Sequence, residues 1–99
     1  MPKRGAVPTA MASNMLARGR VAEQHGDISG ARRFYTVAAQ SGNAEAARSL
    51  SRLYDPVYLK QKTIGGIDAD PQLARQWSDR AAALEAETSP SQPQALTAR

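Results

Sequence analysis

The chain has 99 residues, a formal net charge of +4, no cysteine and a single histidine, His25. This length allows one domain or a piece of a longer repeat array, and the residue inventory excludes disulfides, thiolate catalysis, cysteine-ligated zinc and a multi-histidine metal site. Nineteen of the apolar residues are alanine, and Val, Ile, Thr and aromatics are scarce, which favours closely approaching helices over a sheet and predicts an all-α fold.

Residues 1–9 contain Pro2, Gly5 and Pro8 without apolar periodicity and are expected to form a disordered arm. A first helix is predicted over 10–25, with Ala12, Met15, Leu16, Gly19 and Ala22 on its face. Gly19 costs that helix up to about 1 kcal/mol relative to alanine, so close contact with a neighbouring helix is expected there. Gly26-Asp27 reads as a helix end followed by the cap of the next helix. The second helix, 28–41, carries Ala31, Phe34, Tyr35 and Ala38 at helical spacing. Gly42-Asn43 repeats the punctuation before a third helix at 44–54, whose face holds Ala47, Leu50, Leu53 and Tyr54. Asp55-Pro56 opens a long connection, 55–69, with one or two helical turns at most and a Gly65-Gly66 turn. Asp70-Pro71 is the strongest start signal and opens a helix at 71–86 bearing Ala74, Trp77, Ala81 and Leu84. Residues 88–99 are polar and proline-punctuated, a second disordered end.

The chain repeats itself. Asp27, Ala31, Arg32, Phe34, Ala38 and Ala39 match Asp70, Ala74, Arg75, Trp77, Ala81 and Ala82 at a fixed offset of 43 residues. Small residues there permit close packing, and the aromatic is expected to plug the gap to the next hairpin. The pattern Asp-x3-Ala-Arg-x-aromatic-x3-Ala-Ala resembles the second helix of tetratricopeptide and Sel1-like repeats. Gly19, Ala31, Tyr35 and Ala38 stand at the glycine, alanine, aromatic and alanine spacings of the tetratricopeptide motif. Met15, Arg18, Ala22 and Asn43 depart from it, standing where the motif has an aromatic, a leucine, an aromatic and a proline. The 55–69 insertion is closer to the glycine-containing loop of Sel1-like repeats. The resemblance implies two helical hairpins, 10–42 and 43–87, stacked as a short right-handed α-α solenoid that binds proteins as an adaptor or scaffold. It implies no catalytic residue, and with no nucleophile or patterned acid beside His25 the chain is expected not to be an enzyme.

In such stacks the first helices of the hairpins line the concave face. This places Arg20, Gln24 and Tyr54 in a groove; the Tyr54-Asp55-Pro56-Val57-Tyr58-Leu59 segment either folds back onto the hairpins or forms part of a partner-binding surface, which makes Tyr58 a further candidate. Residues 1–62 carry a net +6 and 63–99 a net −2, so an acidic or C-terminal peptide is the expected occupant. Two hairpins fall short of the roughly three repeats usually needed for an independent stack. Self-association or a partner is therefore expected to cover the fourth helix and the 55–69 loop. A basic helical nucleic-acid-binding module, motivated by Arg32-Arg33, is the alternative. His25 is read as a helix C-terminal residue and Asp70, near Asp68, as a cap, and no metal or cofactor is called for. No apolar run exceeds four residues and no export segment follows the basic start. Neither a membrane span nor a signal peptide is therefore expected, which favours the cytoplasm.

Overall fold

The computed structural model describes residues 9–62 and 66–88. Five α-helices follow one another: α1 (Thr9–Gln24), α2 (Ile28–Gln40), α3 (Ala44–Tyr54), α4 (Pro56–Gln61) and α5 (Pro71–Thr88). No strand occurs among the described residues, so the chain is all-α. Thr9 and Thr88 belong to helices rather than to the two ends, and the rest of the expected disordered arm and tail lies outside the described residues. Among its described residues the connection after α3 holds one short helix, α4, and Gly66 turns with a φ of 77°.

The two tight junctions share one construction. At the end of α1, Gly26 takes a φ of 81°, its N–H donates to Glu23 O and the Asp27 N–H donates to Ala22 O (2.8 Å). At the end of α2, Gly42 takes a φ of 98°, its N–H donates to Ala39 O and the Asn43 N–H donates to Ala38 O (3.1 Å). Glycine suits the left-handed position, and both junctions satisfy carbonyls that would otherwise be orphaned. The residue that closes each helix also opens the next. Asp27 Oδ1 accepts from the Gly30 N–H (2.9 Å) and Asn43 Oδ1 from the Ala46 N–H (2.8 Å). Removing one such cap costs about 1 kcal/mol. Asp27→Ala should therefore lower the thermal midpoint by about 4–8 °C, whereas Asp68→Ala, which removes an exposed non-capping carboxylate, should leave it unchanged in the same melting experiment.

The alanines do what the composition requires. Ala31, Ala38, Ala39, Ala46, Ala47 and Ala81 are fully buried, and they let α1 pack on α2, α2 on α3, and α3 on α5, with α4 against α3. Leu16, Ile28, Leu50, Leu53, Leu59 and Leu84 fill the remaining core. The largest fully buried side chain is Tyr35, and it occupies the space left by Gly19. A Cβ on Gly19 would collide with Cε1 and Cδ1 of the Tyr35 ring. Phe34 and Trp77, the aromatics aligned by the repeat, are only half-buried at the edge of the core. The plug between helices is thus Tyr35, one residue past the aligned position, because helical geometry turns Tyr35 about 100° further, into the centre of the contact.

The long connection returns to where it left. The Asp70 N–H donates to Tyr54 O (2.8 Å), and the Arg32 guanidinium donates to both Leu53 O and Asp68 O (2.7 Å each) while stacking 4.1 Å over the Tyr54 ring. Arg32 thereby satisfies a carbonyl in the last turn of α3 and clips the end of the connection beside it. Asp70 caps α5 through the Leu73 N–H (3.1 Å), and Nδ1 of His25 bonds Val21 O in the last turn of α1 (2.8 Å). Among the described residues, no helix is long and apolar enough to cross a membrane.

Candidate functional site

α1, α3 and α4 enclose an open cleft of about 530 Å³. Its floor is built around one carboxylate. Glu23, near the end of α1, accepts from the Tyr35 hydroxyl of α2 (2.7 Å), from the Tyr58 hydroxyl of α4, and from Arg52 Nη2 of α3 (3.1 and 3.2 Å). Four helices therefore meet on one side chain. Burial opposes a charge on Glu23, but the bonds from Tyr58 and Tyr35 and the charge of Arg52 outweigh it and hold its pKa below the ordinary value. Burial, reinforced by the Glu23 carboxylate, pushes the Tyr35 and Tyr58 hydroxyls the other way, up. The floor is an ion pair with two neutral donors at neutral pH.

The cleft wall carries Arg20, Gln24, Ser49 and Lys62. Arg20 pairs with Glu45 across the α1–α3 gap, and both side chains are half-exposed or more. Such a pair contributes about 0–1 kcal/mol, so an incoming carboxylate can replace Glu45 at little cost. Lys62 lies 5.5 Å from the centre of the Tyr58 ring and Arg52 lies 5.3 Å from it, so two cations neighbour the Tyr58 ring.

Of the three residues assigned to a groove from sequence, Arg20 and Gln24 line this cleft, together with Tyr58, the further partner-binding candidate. Tyr54 does not. Its ring lies under Arg32 on the other side of α3, where it helps to fix the connection to α5. Arg20 and Arg52 are each paired with a glutamate inside the cleft, and Lys62 adds a third cation to its lining. Sequence reasoning missed Glu23, Arg52 and Lys62. The spacing of Glu23 and Arg52 carries no local signal, since their bond joins residues 29 apart in sequence. Lys62 stands four residues after Tyr58 in a helical turn, a legible pairing.

Among the described residues no group of three or more His, Asp or Glu side chains is arranged to hold a metal ion. Comparison with family models, with curated protein sequences and with solved structures gives no match.

Proposed function

We propose that this chain is a non-catalytic protein-interaction module, a short stack of helical hairpins of the tetratricopeptide or Sel1-like kind, acting as an adaptor or scaffold. Its cleft holds an acidic, extended peptide. The observation that carries this reading is the contrast between a fixed floor and an exchangeable rim. Glu23, Arg52 and the two tyrosines are committed to one another, while Arg20, Gln24 and Lys62 stand exposed around the mouth. The serial packing of α1, α2, α3 and α5 supports the hairpin stack.

Self-association through α5 receives less support. Ser78 and Ala82 are exposed on α5 where the aligned Tyr35 and Ala39 of α2 are fully buried, and they offer little apolar area to a second copy.

The test is fluorescence anisotropy with a labelled Glu/Asp-rich decapeptide. Arg20→Glu combined with Lys62→Glu should weaken binding at least tenfold, and Tyr54→Phe should leave it unchanged. If the double variant binds as tightly as the parent, the cleft assignment is wrong. If duplex DNA binds instead, with an affinity that falls steeply with salt, the nucleic-acid alternative replaces the adaptor reading.

A further inference from the structure

The side of α2 opposite the cleft has its own chemistry. Arg33, Val37 and Gln40 recur at helical spacing, point roughly opposite Tyr35 and are exposed. Two open notches flank this crest. On the α1 side Phe34 meets Ala17, Arg18 and Val21, and on the α5 side Gln40 meets Trp77, Gln76 and Arg80. Each notch is about 330 Å³ and pairs one half-buried aromatic with one arginine, and the two aromatics are the pair aligned by the internal repeat. Val21 and Val37, two of the four large apolar residues most exposed among those described, border the same strip at 52% and 41%. Arg18, Arg33 and Arg80 make no ion pair among the described residues. Asp79 is the acid adjacent to Arg80 in sequence, and it is turned about 100° away around α5.

We infer that this face is a second docking surface, and that its occupant is an acidic amphipathic helix of a partner protein. Two of its apolar side chains enter the Phe34 and Trp77 notches, and its flanking carboxylates meet Arg18, Arg33 and Arg80. Charge complementarity selects an acidic partner, since three cations that make no ion pair among the described residues surround an apolar strip. An amphipathic helix presents apolar side chains with flanking carboxylates on a single face, the pattern that two apolar notches bordered by arginines complement. A phosphate backbone fits less well, because it has no apolar group to set on Val21 and Val37. The inference does not depend on the cleft.

Trp77 is the only tryptophan in the chain, so its fluorescence reports this face alone. The probe is a synthetic 18-residue helix with leucines at i and i+7 flanked by glutamates, roughly 27 Å long. Its titration should shift Trp77 emission to the blue and protect it from acrylamide. Arg18→Glu with Arg80→Glu should raise the Kd at least tenfold with an unchanged circular dichroism spectrum, while Arg20→Glu in the cleft should not change it. A scrambled probe of the same composition should fail. Absence of any Trp77 response at millimolar probe, equal binding of the scrambled probe, or shielding only by duplex DNA or by phosphatidylglycerol vesicles would each overturn the inference.

Discussion

Glu23→Ala should lower the thermal midpoint of unfolding by about 10–30 °C, followed by far-UV circular dichroism. The substitution leaves the Tyr35 hydroxyl, on a fully buried side chain, without its acceptor, a cost of about 1–3 kcal/mol. It also releases Arg52 and Tyr58, which are half-buried and recover only part of their hydrogen bonding from water. Together these place the loss at about 2–4 kcal/mol, and a domain of this size shifts by about 4–8 °C per kcal/mol. Tyr35→Phe distinguishes this mechanism from a general loss of packing. On the parent chain it should destabilise, whereas in the Glu23→Ala background it should restore part of the lost stability, because the orphaned hydroxyl is gone. The same carboxylate sets an acid limit. Its folded pKa lies below the unfolded value of about 4.3. The stability it contributes is therefore complete above the unfolded pKa and is lost as pH falls through the folded one. Glu23→Gln should remove that part of the acid dependence while keeping the side chain's shape.

The second large effect has a sign that helix propensity gets wrong. Gly19 lies in the interior of α1, where replacement by alanine gains about 1 kcal/mol on propensity alone. The contact with Tyr35 reverses this. The colliding atoms belong to the ring of a fully buried side chain, and overpacking of that kind costs about 1–3 kcal/mol. Gly19→Ala should come out destabilised by about 1 kcal/mol, the remainder of the two opposing effects, and Gly19→Val by about 3 kcal/mol or more. In a Tyr35→Val background, Gly19→Ala should become stabilising, since the obstacle is absent and the propensity is not. Chemical denaturation of the parent and these four variants decides the matter.

The local parts of the fold were legible because their signals are local. Gly26-Asp27, Gly42-Asn43 and Asp70-Pro71 mark junctions whose hydrogen bonds span three to five residues, and the helices begin there. Gly19 was legible as a close approach, though not its partner. The cleft was legible in part. Arg20, Gln24 and Tyr58 could be placed by helix and by loop, but the carboxylate that organises the floor could not. Glu23 in isolation is an ordinary solvent-facing acid. Its role depends on Tyr35, Arg52 and Tyr58 arriving from three other helices, and no periodicity in one segment encodes that meeting. Tyr54 failed for a similar reason. Its position on a first helix pointed to the groove, while a cation from α2 fixed it on the opposite side.

The junctions described above divide the chain into places that tolerate length changes and places that do not. Asp27 and Asn43 each serve two helices at once, so one extra residue at either point would separate the two duties and rotate everything downstream by about 100°. The 55–69 excursion works differently. It begins at the end of α3 and is tied back there by the Asp70 N–H on Tyr54 O and by Arg32 on Asp68 O, so the docking of α5 on α3 is set by those ties and not by the length between them. Lengthening a closed loop costs only about 0.6 kcal/mol per doubling. New sequence, natural or engineered, enters this architecture most economically after Lys62, a residue of the cleft wall.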